Sequence, residues 1–314
     1  MIIKRIKYVI LGICIAFFGA AIIIYPERYV ACCFEGFALW AECVLPSLFP
    51  FIVLALIFIK TGLADKASLP LKRATRALNL PQSAAVCFLL SICSGYPAGS
   101  RLVAEFYENG ALTKADCDKL APLCSTSGPL FIIGSVGFKM FGDKLLGMKI
   151  FLAHALAVTV FSLIYCRFCK KTQYSMQKSV KQNGNILYDT FYGAVVSVAV
   201  AGGFIAFFYV VAQFLQDFYV FLPLESLLKL FMEESAAKAV CMGLAEATCG
   251  CRYLAQSSSA LKGALAGFII TFGGVSILMQ QLSYLTKTGV KALKFISFKF
   301  LQAVLCFLIL LVIL

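Results

Sequence analysis

Apolar stretches of bilayer length recur along this chain, and short clusters of charge separate them. About 20 residues carry a helix across the hydrocarbon of a membrane. The first uncharged stretch is 8–25, behind Lys4, Arg5 and Lys7. The second apolar stretch is 33–59, which carries Glu35 and Glu42 in its first half and the run 45-LPSLFPF-51. Stretches 81–100, 120–138 and 150–166 follow, then 190–216, the shorter 239–251, 263–286 and a last one ending at Leu314. The pattern predicts an all-α polytopic membrane protein that keeps its first helix uncleaved.

Several stretches contain residues that break helices. The first half has 94-SGYPAGS-100 and 124-CSTSGPLF-131; the second has Glu246, Thr248 and Gly250 together, then Gly273-Gly274. Backbone that leaves the helix inside a membrane must be buried in protein or line a polar cavity. Gly95, Gly128 and Gly273 allow close approach or positive φ, while Pro97 and Pro129 stop the helix from continuing. The half-helix N-termini so created suit an anion, and Ser94, Ser125, Thr126, Ser127 and Thr248 add hydroxyls. Arg101 is the fixed cation beside a break and can fork a carboxylate. Glu246 lies in a break and is the candidate for a coupling proton or for charge balance. Gly99, Gly250, Gly274 and Gln280 complete the expected substrate-binding set. Glu42 is expected to snorkel or pair, and His154 to make a structural hydrogen bond.

Charge orients the chain. The basic segments around 60–76, 167–181 and 287–299 fall on one side if the N-terminus is cytoplasmic, and the acidic 217–238 segment falls on the other. The spans near 43–59, 81–100, 120–138 and 150–166 then resemble, in order, those near 194–216, 239–251, 263–286 and 295–314. The second series starts from the opposite face. Two inverted repeats with interrupted or re-entrant helices meeting near the bilayer midplane are the expected architecture, as in secondary transporters. The divisions expected are an N-terminal helix (1–30), a first repeat (31–168), a basic cytoplasmic linker (169–188) and a second repeat (189–314). Whether 81–100 and 120–138 cross fully or turn back is open at this level.

Composition narrows the function classes. Hydrophobic residues make up 61% of the chain and charged residues 14%, with mean hydropathy +0.91, which excludes a soluble domain. The net charge of +13 sits in short connecting segments and does not form a nucleic-acid surface. The 14 cysteines read as buried thiols, because Cys166 and Cys169 lack a redox context and Cys249 and Cys251 are too close for a zinc pair. With one histidine, no metal site is expected. No Ser/His/Asp grouping and no Walker A loop is present. The reading is a protein without catalytic residues or cofactor, with coupling to protons or sodium left open.

The motifs 45-LPSLFPF-51, 94-SGYPAGS-100, 127-SGPLFIIGSVG-137 and 272-FGGVSILMQ-280, with Glu246-x-Thr248-x-Gly250 between, resemble the YlbJ-type sporulation integral membrane proteins. The likeness covers nearly the whole chain. It implies membership of the nucleoside-recognition (Gate) superfamily, which includes concentrative nucleoside transporters. It further implies a stage V sporulation transporter that moves dipicolinic acid from the mother cell across the outer forespore membrane. In that setting the half-helix N-termini and Arg101 would take the two carboxylates, and Tyr96 would stack on the pyridine ring. Cys124-Ser125-Thr126 stands where the family often has amide-rich residues, which bears on substrate identity. A Gate-type transporter of a nucleoside or another carboxylate, or a non-transporting scaffold for sporulation or envelope assembly, are the alternatives. The partners expected are a small anion such as dipicolinate, the lipid bilayer and a second copy of the chain, with no nucleic acid.

Overall fold

A computed structural model describes residues 2–70, 72–77, 79–169 and 186–314. Lys170, Lys171, Lys178 and Lys181 of the expected basic linker lie outside the described residues. Helix is the regular structure throughout the described part, as it must be where lipid offers the backbone no partners. Helix α1 is Ile2–Ile24 and α2 is Pro26–Lys60. Pro26 opens α2, where its missing N–H costs nothing, so the second helix starts ahead of the boundary expected at 30. The first half continues with α3 (Ser83–Ser94), α4 (Ala98–Glu108), α5 (Lys114–Leu123), α6 (Leu130–Met140) and α7 (Lys144–Phe168). The second half has α8 (Ile186–Asp217), α9 (Glu234–Ala245), α10 (Ala247–Ala255), α11 (Lys262–Phe272), α12 (Gly274–Leu285) and α13 (Ala292–Ile313).

Among the described residues five helical stretches are long and apolar enough to cross a membrane: Pro26–Lys60, Lys144–Phe168, Ile186–Asp217, Lys262–Thr288 and Ala292–Ile313. The protein is an all-α polytopic membrane protein. The order of elements is the same in both halves: a long helix, two helix pairs each joined through a break, and a closing helix. Helices α2 and α8 pack together, as do α7 and α13; α4 lies on α12, and α10 lies on α6.

The pair α3–α4 is a hairpin. A Cβ on Gly99 would sit 2.8 Å from the Cβ of Ser91, although eight residues of continuous helix would separate them by about 12 Å. The pair α9–α10 folds back in the same way, with Gly250 placed so that a Cβ would be 2.7 Å from the Gly243 nitrogen. Segment 81–100 is therefore not a crossing helix with a flaw; it reaches the break and returns.

Helix α2 survives its prolines by widening. It is π-helical over Trp40–Val44, and Ser47 Oγ donates to the carbonyls of Cys43 and Val44, each at 2.9 Å. Pro46 has no N–H for the carbonyl of Glu42, and Lys139 Nζ of α6 takes that oxygen at 3.3 Å. Ser135 of α6 adds a bond to the Cys43 carbonyl at 2.5 Å. Gly202-Gly203, by contrast, does not interrupt α8. A Cβ on Gly202 would lie 2.7 Å from the Trp40 ring, whose Nε1 donates to the Val198 carbonyl at 3.1 Å. Close approach of this kind is how membrane helices associate. Gly202→Leu is expected to cost about 1–3 kcal/mol by overpacking, read as a lower Tm in detergent with helix content unchanged.

All 14 cysteines are free thiols. Cys14 and Cys93, expected to be buried, are exposed. They stand on the apolar perimeter of α1 and α3, where a small hydrophobe faces lipid as well as it fills a core.

Candidate functional site

In each half the tip of the hairpin touches the break in the next helix pair. Gly95 has φ 73° and ψ −174°, and a Cβ there would be 2.7 Å from the Gly128 nitrogen. Gly274 has φ 64°, and its Cβ would be 2.6 Å from the Gly243 carbonyl and 3.2 Å from the Ala247 nitrogen. Gly273, with φ 91°, ends α11 and turns the chain into α12.

The halves then meet through side chains. The Tyr96 hydroxyl, behind Pro97 at the hairpin tip, donates to the Ile270 carbonyl. Ser100 Oγ donates to Gln281 Oε1 at 3.1 Å. The Ser127 N–H donates to His154 Nε2 at 2.9 Å, and His154 Nδ1 lies 2.8 Å from Thr271 Oγ1. A backbone N–H can only donate, so His154 is the neutral imidazole with its proton on Nδ1, directed at Thr271. The expectation of a structural hydrogen bond for His154 is met twice over.

Where these contacts converge there is a cavity of about 30 Å³, room for roughly one water. Tyr96 and Ser127 come to it from the first half, Thr248 and Gln280 from the second, with Leu48, Phe131, Ile205 and Ile277 as apolar wall. Four residues expected at the substrate site, Tyr96, Ser127, Thr248 and Gln280, thus border one space. A second cavity, about 330 Å³, is bounded by Glu35, Glu42, Lys139 and Arg252. Lys139 pairs with Glu42 at 2.9 Å and Arg252 with Glu35 at 3.8 Å. Cys43 borders this vestibule and its neighbour Val44 borders the inner cavity, so the widened turn of α2 is the partition between them.

The remaining expected site residues are arranged around that centre. Ser94 turns its hydroxyl back to the Leu90 carbonyl at 2.5 Å, and Thr126 donates to the Ser91 carbonyl at 3.3 Å. Gly99 and Gly250 serve the hairpin crossings. Pro97 and Pro129 precede α4 and α6 at their N-caps. Glu246 is wholly buried and caps α10, its Oε2 accepting the Cys249 N–H at 2.6 Å; its Oε1 has no hydrogen-bond partner. Arg101 is set apart. Its guanidinium donates to the Gly193 carbonyl at 3.0 Å and to Ser197 Oγ, both on α8, beside a separate crevice lined by Leu56, Pro97 and Ser197.

Sequence reasoning missed Lys299. Read as one of several lysines flanking the last span, it is the eighth residue of α13 and fully buried, with Nζ 2.7 Å from the Ser125 carbonyl. Gln302, one turn on, donates to the Pro122 carbonyl at 3.0 Å. The available signal was their spacing of three, which puts both on one face of the helix.

No family model matches the chain, and no solved structure matches it. Over 97% of its length the chain is 24% identical to the sporulation integral membrane protein YlbJ of Bacillus subtilis (strain 168), covering 82% of that protein. The motifs at the helix breaks and this end-to-end likeness agree: the chain is an integral membrane protein similar to YlbJ.

Proposed function

We propose that this protein is a secondary transporter of a small anionic metabolite, with dipicolinate the first candidate, moved from mother cell across the outer forespore membrane during sporulation. The observation that carries the reading is the shared cavity, at which Tyr96 and Ser127 of one half meet Thr248 and Gln280 of the other. Irregular backbone at the junction of two similarly ordered helix sets is the arrangement through which alternating access works. In this reading the halves are inverted across the bilayer and the 30 Å³ space is the occluded form of the site. A flat dicarboxylate needs several times that volume, so α4 and α10 must part from α12 and α6 to admit it. The vestibule beyond the α2 turn is then the approach from one face. Arg101, engaged with α8 here, becomes free to meet a carboxylate when the hairpin moves, and Glu246 is the coupling or charge-balancing group.

The test is uptake of labelled dipicolinate into proteoliposomes holding the full chain, with imposed proton or sodium gradients. Uptake driven by one of those gradients is the expected result. No uptake under either gradient, or wild-type uptake after Arg101→Ala and Glu246→Gln are both introduced, removes the reading.

A further inference from the structure

An anion entering the cavity needs positive charge or free donors, and most of those near the breaks are already committed. The Ser127 N–H is held by His154 and the Cys249 N–H by Glu246. Arg101 is bonded to α8. The amide nitrogen of Gln281 is an unpartnered neutral donor; the positive charge that remains is Lys299. Its ammonium lies 5.5 Å from the centroid of the Tyr96 ring, a wall of the cavity, and bonds to the carbonyl of Ser125, two residues before the wall residue Ser127. None of the ion pairs among the described residues includes Lys299.

Burying an ammonium without a carboxylate costs several kcal/mol. The C-terminal end of α5 returns part of this through its dipole, and the tyrosine face returns a further part. Capping alone does not call for a charge, since the uncharged Gln302 does the same for the Pro122 carbonyl one turn away. The hydroxyl of Ser125, also wholly buried, has no hydrogen-bond partner. A cation lacking its counter-charge and a hydroxyl lacking its partner therefore stand at one residue, directly behind the cavity wall.

We infer that Lys299 is the fixed counter-charge for the anionic group of the bound molecule, with the Ser125 hydroxyl as the donor beside it. That the molecule is transported rests on the function proposed above. On binding, the ammonium shares its N–H groups between the Ser125 carbonyl and the anion.

The experiment uses the purified full chain and two probes of one shape, pyridine-2,6-dicarboxylate and its neutral diamide. The dicarboxylate should raise the Tm of the wild type in detergent and the diamide should not. Lys299→Met should abolish that rise and, in proteoliposomes, raise the KM for uptake roughly tenfold or more, as loss of a hydrogen bond to a charged group does. Lys299→Arg should keep most of both. A wild type stabilised equally by the diamide overturns the inference even if Lys299→Met fails to fold. A folded Lys299→Met with wild-type KM overturns it too, and leaves transport standing. A Tm rise lost in Lys299→Met, with no wild-type uptake, keeps Lys299 as the anion site and removes transport. Neither stabilisation nor uptake in the wild type removes both.

Discussion

Replacing Gly95 by alanine is expected to leave little or no folded protein. At φ 73° and ψ −174° the backbone occupies a region that essentially glycine alone enters, at a cost of about 1–3 kcal/mol for other residues. The new methyl would also lie 2.7 Å from the Gly128 nitrogen and 3.4 Å from Leu48 Cδ2. The obstructing atom is backbone, and Gly128 has little room to withdraw, because a Cβ of its own would stand 3.1 Å from the Cys93 carbonyl. Strain and overpacking together reach several kcal/mol. Gly134→Ala, inside α6 where nothing lies within 4 Å, is the control and should be neutral or stabilising by up to about 1 kcal/mol. The yield of monodisperse protein in detergent and its Tm separate the two. Equal behaviour of both variants would show that the hairpin tip does not rest on the second break.

The same contact explains what could be read in the chain and what could not. Hydropathy finds the long spans because lipid imposes length and composition on any crossing helix. It cannot tell a helix that crosses from one that turns back, since both are apolar; the difference is a contact, Gly99 against Ser91, eight residues apart. Glycine pairs mislead in the same way. Gly273-Gly274 is a break because both residues have positive φ, whereas Gly202-Gly203 is continuous helix with an indole lodged beside it. Four cavity residues, Tyr96, Ser127, Thr248 and Gln280, were legible because polar groups and helix breakers are costly in lipid and mark protein-lined space. Charge was harder. Arg101 adjoins a break in the chain yet follows its helix round to α8, while Lys299, distant from every break in the chain, lies against one in space. Proximity along the chain is a weak guide once the helices on either side of a break face different neighbours.

Glu246 gives the sharpest separation of folding from function. Its carboxylate caps α10 by accepting the Cys249 N–H at 2.6 Å, in a position with no exposure and no cation paired to it among the described residues. Glu246→Gln keeps an oxygen for the same N–H and removes any buried charge, whose desolvation costs several kcal/mol. The variant is therefore expected to match or exceed the wild type in Tm. Glu246→Ala instead leaves the N–H unmet and gives up the cap, for a loss of about 0.5–2 kcal/mol. If the carboxylate were present only to cap the helix, glutamine would serve as well, and gradient-driven uptake would survive in Glu246→Gln. Under the proposed function it does not survive, because an amide can neither take up and release a proton nor balance a charge. A stable, monodisperse Glu246→Gln that no longer transports is the expected outcome; one that transports at the wild-type rate assigns Glu246 to the helix cap and moves coupling elsewhere.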